Sequence, residues 1–197
     1  MPLAPYNPGL GQTVRGSGRQ VPSVDASFWA HLTVAPDAAT ATYVHAAITL
    51  PAAGTTVVTT GITNPDVPRN LSIVGNEADI VGNVVIVGTD LNNDALTETI
   101  ALNGVTSVKG TKAFKTVTSI TVPARQDADE AVSVGVSDKV GLHHKLPYDT
   151  GWKVFVDAVE ESPTPPITAS ETVLASNVVD LDGLPDGSAI IDVYYVV

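Results

Sequence analysis

From about residue 55 to residue 123, short β-branched runs alternate with clusters of Gly, Asn, Asp and Pro. β-Branched side chains suit a pleated, half-buried surface, and the turn residues supply the backbone angles that reverse direction. The pattern predicts strands over 57–60, 71–74, 84–87, 96–102 and 114–122. Turns are expected at Asn64-Pro65-Asp66, Gly75-Asn76, Gly82-Asn83, 90–94 and Asn103-Gly104. The clearest hairpin joins 84–87 to 96–102. In its second arm Leu96, Glu98 and Ile100 share one face, and Thr97, Thr99 and Ala101 the other, so a carboxylate sits on the more apolar side. Asn103-Gly104 is a strong tight-turn dipeptide, because both residues tolerate positive φ.

On either side the same alternation continues. Strands are expected over 27–34, 42–50, 130–136 and 152–159, with Trp152, Val154, Val156 and Ala158 on one side of the last. Residues 140–146 read as a further strand that runs into a turn at 147–151. Two more are expected over 171–181 and 188–197, the final one highly apolar. An exposed strand of that kind invites edge pairing, so it is expected inside the sheet stack or against a neighbouring subunit. Strand-and-turn spacing of this regularity predicts an all-β fold, an antiparallel β-sandwich or barrel-like domain.

The ends differ from the middle. Residues 1–24 hold Pro2, Pro5, Pro8 and Pro22 with Gly9, Gly11, Gly16 and Gly18, a composition that sustains neither a helix nor a central strand. The expected organisation is an extended Pro/Gly-rich N-terminal arm over 1–24, a main β domain over 25–160, and a Pro-rich linker with two C-terminal strands over 161–197. The arm is expected to be clamped by a sister subunit or partner, the alternative being that it packs back on its own domain.

Charge adds a second asymmetry. The formal net charge is −11, from 10 Lys and Arg against 21 Asp and Glu. Residues 1–24 carry Arg15 and Arg19 and no acid, whereas no base follows Lys153 and eight acids do. An acidic body repels phosphate backbones, so a nucleic-acid partner is not expected. The weakly basic arm suits an acidic neighbour, including another copy's body. The chain has no cysteine, which removes disulfides and thiolate metal sites. The start, MPLAPYNPGLGQ, lacks the basic and apolar regions of a secretory signal. No run approaches the roughly 20 apolar residues of a membrane span, so no membrane partner is expected.

The string ITNPDVPRNLSIVGN, the arm VVIVGTD…TETIALNG, and then GTKAFKTVTSITVP and VSVGVSDKVGLHHKLP together resemble a segment of tailed-bacteriophage virion structural proteins. The likeness covers residues 61–146 and is one of β pattern and turn wording, not of catalytic residues. It implies a component of the virion, assembled in the host cytoplasm, with the head as its expected place.

Candidate chemistry is sparse. Asp90, Asn92 and Asp94 have a D-x-N-x-D spacing, but a calcium loop then requires Gly and Glu where the chain has Ala95 and Ala101, so a polar hairpin turn is expected. Asp180, Asp182 and Asp186 read as a turn for the same kind of reason, with Gly183, Pro185 and Gly187 among them. His143 and His144, adjacent on an expected strand, point to opposite faces, and with His31 and His45 show no zinc spacing. The acidic run Asp127, Asp129, Glu130 reads as a solvated loop. No nucleophile elbow, phosphate loop or H-E-x-x-H is present, so the expectation is no enzyme, no cofactor and no metal.

The expected function is therefore structural: a capsid decoration or cement protein that binds the major capsid protein or other virion subunits as a homo-oligomer, a trimer by preference. Its interface is expected at Tyr6, Arg15 and Arg19 of the arm and at Ile190, Val193 and Tyr195 of the last strand. Two alternatives stand beside it, a tail, collar or neck protein and a carbohydrate-binding or adhesin module using Trp29 and Trp152. Exposed, coplanar indoles favour the latter, and buried ones exclude it.

Overall fold

The computed structural model describes residues 28–197 and, nearer the N-terminus, the backbone of two short strands, β1 (Arg15–Gly16) and β2 (Arg19–Gln20), which pair as a small antiparallel ladder. The protein is all-β, with antiparallel sheets and a curled half-barrel. The strands that follow are β3 (Trp29–Val34), β4 (His45–Thr49), β5 (Thr56–Val58), β6 (Arg69–Gly75), β7 (Asn83–Thr89) and β8 (Ala95–Ala101). Next come β9 (Val108–Phe114), β10 (Thr116–Val122), β11 (Ala131–Gly141), β12 (Gly151–Val156) and β13 (Val159–Glu160). The chain ends with β14 (Ile167–Thr168), a short 3₁₀ turn (Leu174–Ser176), β15 (Val178–Asp180) and β16 (Ile191–Val196).

Three sheets carry the body. One has the order β5-β10-β7-β8, and a second β14-β15-β11-β6-β9 with β4 attached to β11. The third is β13-β12-β16-β3. The first two face each other across a core that includes Leu71, Ile73, Val84, Ile86, Ile100, Ile120, Val132 and Val134. Each such side chain, fully buried, contributes roughly 1.5–3 kcal/mol, so this cluster holds the sandwich closed. The third sheet packs its inner face, Leu32, Val154, Ile191, Val193 and Tyr195, on Val140, Leu142, Ile167 and Val179.

β11 runs through both cores. Its first half gives Val132, Val134 and Val136 to the sandwich, and past an irregularity between Val136 and Val140 it gives Val140 to the second cluster.

The β7–β8 hairpin forms in the expected register, from Asn83 opposite Ala101 to Thr89 opposite Ala95. Other expectations needed revision. The run 114–122 is the end of one strand and all of the next: β9 stops at Phe114 and β10 starts at Thr116. Most of β9, VKGTKAF, has too many Lys and Gly residues to read as a strand, and pairing with β6 creates it. The run 171–181 divides into the 3₁₀ turn and β15, because buried Asn177 ties the turn to two other loops. Its Oδ1 accepts from the Leu146 and Ser170 amides, and its Nδ2 donates to the Ser170 and Val173 carbonyls.

β11 extends to Gly141, so His143 and His144 follow a strand rather than lying on one. The segment 161–197 is divided between sheets, with β15 on β11 and β16 between β12 and β3.

Candidate binding face

Among the described residues, the outer face of the third sheet brings two exposed aromatic side chains, Trp29 and Trp152, into contact. β3 alternates strictly, with Ala30 and Leu32 inward and Trp29, His31 and Thr33 outward. β16 does the same, Val193 and Tyr195 facing the core and Asp192 and Tyr194 facing out. In β12 the alternation breaks. Gly151 pairs with Tyr195 and Lys153 with Tyr194, so one extra residue, Trp152, stands in the bulge between them. Bulges re-aim side chains in this way. Trp152 is thereby 54% exposed instead of sharing the core face with Val154, as uniform alternation predicts.

Trp29, 63% exposed, leans across the end of β16 to meet Trp152, ring centroids 5.0 Å apart and planes inclined at 60°. Tyr194 lies flat on His31 at 4.2 Å, and Trp152 and Phe155 present their rings nearly perpendicular to it, at 6.4 and 5.9 Å. The Lys153 ammonium sits 5.3 Å from the Trp152 ring and pairs with Glu160 at 2.8 Å. Below Tyr194 in the same face, Asp192 Oδ1 accepts from the Thr33 hydroxyl at 2.6 Å and hydrogen-bonds His31 Nε2 at 2.8 Å. The Thr33 bond first, then His31, hold this carboxyl below the usual carboxylate range. The face thus combines stacked rings with fixed donors and acceptors of both charge signs.

The other candidates are scattered. Asp90 turns its carboxylate onto its own loop, accepting from the Asn92 and Asp94 amides at 2.9 and 3.0 Å. Asp180 pairs with Lys139, while Asp186 accepts from the amides of Ser188 and Ala189 and the Ser188 hydroxyl. His45 hydrogen-bonds the Ala46 carbonyl. His144 bonds the Tyr195 hydroxyl at 2.8 Å, and burial, then His143, pushes its imidazole down.

Glu130 corrects the reading of its run as a solvated loop. It is 1% exposed, and its carboxylate accepts from the Gln126 and Asp127 amides at 3.0 and 3.2 Å. Its oxygens lie near those of Asp79 and Asp127, within 4.8 Å, but are already satisfied by these amides.

The expected interface residues divide. Tyr6 lies outside the described residues, and Arg15 and Arg19 are described only as strand backbone. Ile190 is exposed at 49%. Val193 and Tyr195 are 0% and 1% exposed in the chain's own core, because β16 is a central strand of its sheet and not an edge. The outward residues that matter on β16 are Asp192 and Tyr194. The bulge is invisible to a period-of-two reading, which puts Trp152 on the core face with Val154.

Comparison with protein-family models, curated proteins and solved structures finds no match to the chain.

Proposed function

We propose that the protein is a non-enzymatic structural component of a tailed-phage particle, a decoration or cement protein that binds the major capsid protein as a homo-oligomer, with a trimer favoured. The observation that supports this is where the phage-like stretch falls. Residues 61–146 contribute β6 to β11 and most of the buried residues of the sandwich core, so the stretch is contiguous in the fold rather than scattered, with β4, β5, β14 and β15 of the same two sheets outside it. Binding to an assembled shell stabilises it by mass action, each copy adding contacts that opening must break.

The test is light scattering after size exclusion, with co-sedimentation against tailed-phage shells stripped of their accessory proteins. The full chain is compared with one lacking residues 1–24. A defined trimer that sediments with shells in saturable amounts supports the reading, and loss of either property on truncation makes the arm the clamp. A ring of six or twelve copies moves the protein to the tail, collar or neck. A stable monomer indifferent to shells overturns the decoration reading.

A further inference from the structure

We propose that the outer face of the β12–β16–β3 sheet is a carbohydrate-binding site that takes a short, soluble stretch of neutral glycan against Trp29, Trp152 and Tyr194. The chain has two tryptophans, and both lie exposed and in contact on this face. A large aromatic ring left in water forgoes roughly 25 cal/mol for each Å² it fails to bury, so two such rings side by side mark a surface shaped for a ligand. One of them is there only through the bulge at Trp152, a local device that removes an indole from the core face and presents it outward.

The size of the surface selects among occupants. At exposures of 63% and 54% the two tryptophans offer roughly 200–300 Å² of surface. A standard protein interface takes about 800 Å² from each partner, so a protein seated here would also have to cover the polar residues that flank the two indoles. The patch is about right for a few sugar rings, whose C–H faces lie on aromatic rings while their hydroxyls bond at the edges.

Those edges are present. Lys153 donates, and Asp192 and Glu160 accept, each held in place by a neighbour before any ligand arrives. A purely apolar ligand would strip these charged groups of water without replacing their hydrogen bonds, which costs more than ring contact returns. The tilt of the indoles decides the form of the sugar. The indoles are exposed as expected but not coplanar: planes at 60° make a corner and not a flat shelf, which suits a twisted soluble chain rather than a crystalline polysaccharide sheet. The net charge of −11 disfavours polyanionic glycans. The stack of Tyr194 on His31 keeps the platform rigid and lowers the ordering cost of binding. None of this depends on the virion reading; a shell-bound copy can display the face outward.

Because both tryptophans lie in the site, indole emission reports it directly. The full chain is titrated with soluble oligosaccharides of glucose, xylose, galactose and N-acetylglucosamine, by fluorescence and calorimetry, alongside shell co-sedimentation. The expected result is saturable binding of at least one series, weakened about tenfold by Trp29→Ala and by Trp152→Ala, with the fold intact by circular dichroism. Asp192→Asn is expected to weaken the same ligand, again with the fold intact by circular dichroism. Silence towards every series at millimolar sugar overturns the proposal. So does dissociation of an oligomer by either tryptophan variant, which makes the face a protein interface instead. Either failure leaves the shell assay standing on its own.

Discussion

Arg69 grips the carbonyl of Ser137 with two of its nitrogens, Nε at 3.1 Å and Nη2 at 2.6 Å, from a position of complete burial. Ser137 lies in the irregular step of β11, where the strand leaves the sandwich core and enters the second one. A third nitrogen, Nη1, donates to the Asp37 carbonyl at 2.8 Å and lies 3.5 Å from Asp66. The guanidinium therefore supplies the hydrogen bonds that the break in the ladder takes from the backbone.

Arg69→Ala is expected to be among the most damaging single substitutions in the chain. It leaves two carbonyls without these donors, and empties the volume of a buried arginine. A loss of about 3–5 kcal/mol follows from breaking a buried, hydrogen-bonded charge network. Urea denaturation followed by tyrosine and tryptophan fluorescence measures it. A loss below about 1 kcal/mol would show that the step in β11 is held by something else.

Gly135 marks a second point where β11 admits no substitute. A Cβ there would stand 2.0 Å from the Thr40 carbonyl oxygen and 2.6 Å from two Ala41 backbone atoms, so the loop at 40–41 would have to move. Gly135→Ala is expected to cost at least about 2 kcal/mol through overpacking against backbone. Gly183→Ala, where nothing lies within 4 Å, is expected to stay within about 0.5 kcal/mol of wild type. Thermal melts of the two variants side by side decide the matter, and equal midpoints would contradict it.

How much of this was legible in the chain follows from the range of each interaction. The 84–102 hairpin could be read because its alternation and its polar loop are local properties of one stretch. β9 could not, since Lys109, Gly110 and Lys112 belong in a strand only once β6 supplies the ladder. The inward Tyr195 and the outward Trp152 were misplaced for one reason each. The first is the central position of β16, fixed by pairings to residues 29–34 and 151–156, and the second is a single bulged residue. Both are long-range facts that no window of neighbouring residues contains. The exposure of Trp29, by contrast, agrees with the plain alternation of β3.

Acid is expected to weaken the chain through Asp138. Burial alone would raise this carboxyl, but the Lys109 ammonium, its own backbone amide and the Ser137 hydroxyl outweigh it and hold it below the ordinary 3.8. A carboxyl with a depressed folded-state pKa contributes stability above its unfolded value and loses it as pH falls through the folded one. The stability difference between wild type and Asp138→Asn is therefore expected to hold steady above about pH 5 and to shrink as pH falls below about 4. Denaturant midpoints across that range test it, and a difference that ignores pH would remove the ion pair from the account.

Glu98 offers the sharpest test of how a carboxylate comes to lie on an apolar face. It is 8% exposed, and its Oε1 accepts from the Thr111 amide at 2.7 Å and the Thr111 hydroxyl at 2.8 Å, tying β8 to β9. Gly110 makes room for it, because a Cβ there would come within 2.6 Å of Glu98 Oε2. Glu98→Ala is expected to cost about 1–3 kcal/mol by leaving the Thr111 amide unpaired. Gly110→Ala is expected to cost a similar amount by pushing the carboxylate off its donors. The two act on one contact, so the double variant is expected to lose about 1 kcal/mol less than the two losses added together. Once the carboxylate is gone, the new methyl group meets mainly Ile100, 3.1 Å away, and partly refills the space. Strict additivity in the double-mutant cycle would mean that Gly110 serves the backbone of β9 and not the placement of Glu98.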